Sequence, residues 1–216
     1  QRFDINPICL TAFGARNRWG QTVILLAGLA LSRVASSAVE LKLEASAMHS
    51  KGQPFTKNLG QNSSAKYLSL NLAFEPYRKL REQVEKILSE ESKSKVELKN
   101  RGEAHVTVIT PPEFNESLAA QINIEKVHEM AEALQMQEST VLEPVCVGRG
   151  EAKIDGQTEY TYFLVVKAPK LLEVRKALQE KAKAFDADHF YPHVTLGFTK
   201  QDLHEQQGVI KNDKSC

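Results

Sequence analysis

The sequence predicts an α+β fold in two lobes, produced by one strand–helix–strand unit that occurs twice. Three observations carry that prediction. First, His105-Val106-Thr107-Val108 and His193-Val194-Thr195-Leu196 set the same His-x-Thr tripeptide in two apolar, β-branched runs, 88 residues apart from position 105 to position 193. Second, each tripeptide closes a segment that starts as a strand and continues through a helix with proline in its first turn, Lys66 to Thr110 and Thr158 to Thr199. Third, Asp155-Gly156, a strong hairpin-turn signal, joins two long strand-like runs. Helices packed on one face of a small antiparallel sheet, in each of two lobes, satisfy all three.

The amino-terminal part differs from the rest. Arg16, Arg18 and Trp19 precede the apolar run Val23 to Leu31, and the small residues Ala35-Ser36-Ser37-Ala38 follow it. A basic flank, a short apolar core and a small-residue exit match a secretory signal cleaved after Ala38, so residues 1–38 are read as signal peptide and upstream leader. A signal-anchor or a buried helix is the alternative, although the run is too short to span a bilayer comfortably. Residues 39–65 are polar, without a sustained period, and read as a linker or loosely ordered segment. Residues 66–216 form the folded domain.

Within that domain Leu68, Leu70 and Leu72 alternate with smaller or polar residues, which predicts a half-buried strand over Lys66 to Phe74. Glu75-Pro76 opens a helix whose Tyr77, Leu80, Val84 and Leu88 fall three or four apart and form one stripe. Val96 to Leu98 is a short strand or turn. The first His-x-Thr strand, Glu103 to Thr110, is stopped by Pro111-Pro112. A helix follows over Ile124 to Leu134, then strands over Glu143 to Lys153 and Thr158 to Lys167. Pro169 starts a helix with Leu171, Leu172, Val174, Leu178 and Ala182 on its inner face, and the second His-x-Thr strand runs from His193 to Thr199.

Composition narrows the function classes. In 216 residues, 42% are apolar and 25% charged, ample for a real core, and the formal net charge of +1 lacks the basic face of a duplex-DNA binder. Asn62-Ser63-Ser64 and Asn115-Glu116-Ser117 are N-x-S acceptor patterns. Cleavage after Ala38 would remove Cys9 and leave Cys146 and Cys216, a disulfide candidate in an oxidising compartment or, alternatively, one buried thiol and one free one. The chain is therefore expected to be secreted or in the secretory pathway, with a cytoplasmic location as the alternative.

Side chains two apart in a strand share a face, so each tripeptide presents one imidazole and one hydroxyl together. Paired imidazoles suit acid–base work near neutral pH, since one accepts a proton while the other donates one. On a phosphodiester, His105 and His193 would activate water and protonate the leaving alkoxide, and Thr107 and Thr195 would hydrogen-bond the phosphate oxygens. Ligation of zinc by His105, His189 and His193 is the weaker reading, because Pro192 opposes the helix that would bring His189 and His193 together. Tyr160, Tyr162, Phe190 and Tyr191 are candidates for stacking on a base. Lys66, Lys153 and Lys211 are possible phosphate contacts, and Glu103 shares the His105 face and could orient its imidazole.

These residues resemble the 2H phosphoesterase superfamily, defined by two His-x-Thr/Ser motifs. Gly102 to Pro112 and Pro192 to Thr199 look closest to its Swiss-army-knife RNA-repair-like branch, and the resemblance covers Lys66 to Asp213. It implies a duplicated two-lobed fold, two antiparallel sheets with helices outside, and a central cleft. It further implies metal-independent hydrolysis of a cyclic phosphodiester, a 2′,3′-cyclic nucleotide or RNA terminus, with His105 and His193 catalytic and Thr107 and Thr195 on the phosphate. No cofactor, no duplex DNA, no stable membrane span and a monomeric state are expected. A secreted protein that binds nucleotides or RNA ends without turnover is the alternative.

Overall fold

The computed structural model describes residues 9–12, 22–28, 39–48, 55–58, 66–135 and 142–216. Among them, nine strands form three antiparallel sheets of three strands each. The first sheet contains β1 (Cys9–Ala12), β2 (Thr22–Gly28) and β3 (Val39–Glu44). The second contains β4 (Phe55–Asn58), β5 (Tyr67–Leu72) and β6 (Ala104–Ile109), and the third β7 (Glu143–Ile154), β8 (Gln157–Lys167) and β9 (His193–Phe198). Four helices complete the α+β fold: α1 (Phe74–Ser92), α2 (Pro111–Glu113), α3 (Ile124–Gln135) and α4 (Pro169–Lys181). Among the described residues, no helix is long and apolar enough to cross a membrane.

The elements follow from their apolar periods. In α1, Tyr77, Leu80, Val84, Ile87 and Leu88 are buried against the sheets, and the helix stops where Lys93 turns left-handed at φ 53°. The β7–β8 hairpin turns through Asp155 and Gly156, both at positive φ (51° and 77°), the conformation that makes Asp-Gly a hairpin dipeptide. One buried cluster runs from Leu41 and Leu43 through α1, β5, β6 and α3 to β8, α4 and β9.

Three segments differ from the expectation. The stretch read as a linker holds β3, a 3-10 turn over Ala45–Met48, and β4. The cause is a strict alternation, Val39-Glu40-Leu41-Lys42-Leu43-Glu44, which the polar residues further along obscure; Leu41 and Leu43 are buried and Lys42 and Glu44 exposed. Gln83 of α1 closes on the backbone of Lys42, accepting from its N–H and donating to its carbonyl, both at 2.8 Å. The apolar run read as the signal core lies largely in β2, hydrogen-bonded between β1 and β3, so cleavage after Ala38 would remove the strand that β3 pairs with among the described residues. Pro111-Pro112 both ends β6 and begins α2. Thr110 caps that helix with Glu113 in a reciprocal capping box, and the chain continues as a wide π-helical turn over Phe114–Leu118.

Two contacts bring the second and third sheets together. Lys99 and Phe198 exchange backbone hydrogen bonds of 2.8 and 2.9 Å, joining the segment before β6 to the end of β9. That approach requires Gly197, because a Cβ there would fall 2.7 Å from Leu98 Cβ. The other contact is Arg175, 1% exposed on the apolar face of α4. Its guanidinium donates to the carbonyls of Val108, Asp186, Ala187 and His189 and to the Glu113 carboxylate at 2.7–2.9 Å, between the rings of Phe185 and Phe190. It thus binds the backbone of β6 to the loop that leads into β9.

Candidate active site

Strand alternation sets the site. Along β6, Ala104, Val106 and Val108 are buried while His105 and Thr107 are half-exposed; along β9, Val194 and Leu196 are buried while His193 and Thr195 are half-exposed. Each tripeptide therefore turns its imidazole and hydroxyl to one face and its valine into the core, as the period-2 reading requires.

His105 of β6 and Thr195 of β9 line one cavity, together with Asn100, Arg101, Glu103 and Asp202. The first motif thus supplies a histidine and the second a threonine to the same hollow, whereas Thr107 and His193 stand outside its lining. Two charged groups connect His193 to it, because Asp202 and Lys211 act electrostatically on both histidines.

The two imidazoles are held differently. His193 Nδ1 lies 2.8 Å from the Tyr191 carbonyl, which can only accept. Nδ1 therefore carries the proton in the neutral ring and Nε2 keeps its lone pair. The edge of Phe163 lies against the same ring, with centroids 5.9 Å apart. Burial first, and then the Lys211 ammonium, push His193 down to about 3. His105 Nδ1 is 3.6 Å from the Glu103 carboxylate. Burial lowers His105 as well, opposed by Glu103 and Asp202 and reinforced by Arg101 and Lys211. Both imidazoles are thus biased to the neutral form in the free protein, while an anion in the cavity would favour protonation.

Behind Thr195 lies a charged pair with little exposure. Lys211 Nζ donates to Asp202 Oδ1 at 2.7 Å and to Thr195 Oγ1 at 3.3 Å. Thr195 donates to Asp202 Oδ2 at 3.2 Å, and Thr161 donates to Oδ1 at 2.9 Å. Burial alone would raise the Asp202 carboxyl, but Lys211, His204 and these hydrogen bonds outweigh it and hold it at about 2. His204 Nε2 lies 3.7 Å from the same carboxylate.

The aromatic candidates are placed elsewhere. Tyr162 is 5% exposed and belongs to the core, which corrects its reading as a stacking platform. The reason is topological: β8 is the central strand of its sheet, and Tyr162 to Val166 are buried along it. Tyr160 is half-buried beneath the Arg149 guanidinium, and Tyr191 packs edge-on against His189. None of the three lines the cavity. Of the lysines, Lys66 sits over the Phe114 ring, and only Lys211 reaches a motif residue. His189 pairs with Glu205 at 3.1 Å rather than with the site.

Asp202 and Arg101 belong to the site but are absent from the residues that the motifs mark. Nothing local marks Asp202, which follows the second motif in an ordinary polar turn. Arg101 could have been found from its position four residues before His105, on the loop entering β6. The disulfide candidate is realised as a Cys146–Cys216 bond, with Cα atoms 5.9 Å apart.

β6 and β9, edge strands of two different sheets, thus each offer a histidine and a threonine from one face. Residues 66–204 match a family model for the 2H phosphoesterase domain, so the protein is a phosphoesterase of that superfamily. The branch is the Swiss Army Knife family, and the chain belongs to it. No curated protein and no solved structure matches the chain.

Proposed function

We propose that this protein hydrolyses a cyclic phosphodiester, a 2′,3′-cyclic nucleotide or cyclic RNA terminus, without a metal ion, using His105 and His193 as its proton-transfer pair. In this reading β5–α1–β6 and β8–α4–β9 are two copies of one unit, and the cavity lies in the substrate cleft between two lobes. The observation that carries it is the meeting of the two motifs, His105 of one and Thr195 of the other, in a single hollow.

The chemistry follows from the two hydrogen-bonding environments. His193, its Nδ1 proton engaged by Tyr191, offers an Nε2 lone pair and acts as the base on water. The water oxygen bonds to phosphorus, one phosphorus–ring-oxygen bond breaks, and the water's proton passes to His193. His105, whose cationic form Glu103 favours, gives its proton to the departing ring oxygen. Thr107 and Thr195 donate to the non-bridging oxygens as charge builds on them. The product is a phosphomonoester, and proton exchange between the histidines and solvent restores the starting state.

The disulfide and the exposed Asn115 acceptor support a secretory location, with a cytoplasmic one as the alternative. The substrate is then a nucleotide or RNA end met outside the cytosol. The test is hydrolysis of 2′,3′- and 3′,5′-cyclic nucleotides and short cyclic-ended RNAs, with and without EDTA. Turnover of the 2′,3′-cyclic substrates should survive EDTA, and His105→Ala or His193→Ala should lower it about 10²- to 10⁴-fold with folding intact. Phosphate-ester binding without any turnover would replace the enzyme by a binding protein, and turnover abolished by EDTA and restored by zinc would replace the mechanism.

A further inference from the structure

The segment after β9 lies on the face of the third sheet that carries the second motif. In an antiparallel pair, directly opposed residues share a face. Cys146, Gly148 and Gly150 of β7 oppose Val165, Phe163 and Thr161 of β8, and Val165 and Phe163 oppose His193 and Thr195 of β9. Cys146, Gly148, Gly150, His193 and Thr195 therefore all point the same way.

Along that face β7 is bare, and the carboxy-terminal segment fills the space. A Cβ on Gly150 would overlap Val209, and one on Gly148 would come within 3.1 Å of the Ser215 carbonyl. The third position, Cys146, is bonded to Cys216. Leu203 and Val209, both in this strap, are buried. Between its anchors the strap delivers Lys211, 3% exposed, to Thr195, with Nζ 5.6 Å from the Phe163 ring centroid. The match to the family model ends at residue 204, so Lys211 and Cys216, the far half of the disulfide, lie outside it.

We propose that Lys211 is a positioning residue of the phosphoesterase site, acting on the substrate phosphate through Thr195. A threonine hydroxyl has one proton and two acceptor lone pairs. At rest, the Thr195 proton points to Asp202 while Lys211 donates to its oxygen. When phosphate arrives, the hydroxyl proton turns to a non-bridging oxygen. Lys211 keeps its bond to Thr195 Oγ1 and so strengthens it as a donor, and Asp202 stays satisfied by Lys211 and Thr161. The disulfide-anchored strap fixes Lys211 in that position.

This inference rests on the proposed reaction, and a double-mutant cycle in the full chain separates the two. The variants are Lys211→Met, Thr195→Val and their combination, each made also with Asp202→Asn, where removing the lysine strands no carboxylate. The readouts are kcat and KM on 2′,3′-cyclic AMP and inhibition by inorganic phosphate. Lys211→Met should weaken phosphate inhibition and raise KM about tenfold or more while Thr195 is present, and should add nothing once Thr195 is valine. Equal losses in both backgrounds would overturn the assignment, because a merely structural lysine has the same effect with or without the hydroxyl. Unchanged phosphate inhibition in the Lys211→Met variants would also overturn it. A wild-type chain inert toward cyclic phosphates and blind to phosphate would overturn the proposed reaction, and this inference with it.

Discussion

β6 and β9 carry the same tripeptide in different surroundings. His105 borders an open hollow beside Glu103 and Arg101, and among the described residues only a carboxylate 3.6 Å away engages its ring nitrogen. His193 is tied to a backbone carbonyl, edged by Phe163, and pushed down to about 3 by burial and Lys211. Thr195 is likewise bound into a buried ion pair. The motif thus supplies two equivalent side-chain pairs, and their surroundings hold them differently. The chain keeps one imidazole neutral with a fixed tautomer, and it leaves the other near a group that favours its cation.

The difference can be broken at three levels. The largest effect is expected where one residue holds both strands. Arg175→Met removes the guanidinium donor from four carbonyls and from Glu113 Oε1, and should cost about 3–5 kcal/mol in urea unfolding, as loss of one partner of a buried ion pair does. Arg175→Lys should recover only part of this, since an ammonium has three donors and no planar fork. Reducing Cys146–Cys216 acts on the β9 side alone. With the cysteines 70 residues apart, it should cost about 2–4 kcal/mol and lower turnover by loosening Lys211, while the contacts around His105 are kept.

Near neutral pH the smallest effect is a pH dependence. Both histidines bind protons less well folded than unfolded, so the unfolded chain takes up more protons as pH falls below the ordinary histidine value of 6.5. Their contribution to stability is complete above 6.5 and is lost on acidification, His193 titrating last, towards 3. Asp202 adds a further loss between 3.8 and about 2. Urea unfolding at stepped pH should show stability falling from pH 6.5 downward, and His193→Gln should flatten that slope more than His105→Gln does.

Much of this architecture is legible in the sequence because period and side chain speak together. Leu68, Leu70 and Leu72, the Tyr77-to-Leu88 stripe, Asp155-Gly156 and the two tripeptides each announce their element, and each forms. The rest depends on tertiary neighbours. Lys211 looks like one solvated lysine among many until β7 offers bare glycines for its strap. Asp202 has no local mark, and Tyr162 reads as a ligand platform unless β8 is known to be central. Arg175 did leave a trace, a charge between Leu171, Val174 and Leu178 on the buried face of α4. Val39 to Glu44 left a clear one, hidden only by the polar composition that follows.

In the proposed reaction His105 and His193, though held differently, act together at one phosphate. Single-turnover hydrolysis of a 2′,3′-cyclic nucleotide by His105→Ala, His193→Ala and the double variant tests it most directly. Residues that act as a unit are non-additive, so each single variant should be nearly as slow as the double. Wild-type rates in either single variant, or losses that simply multiply in the double, would contradict it.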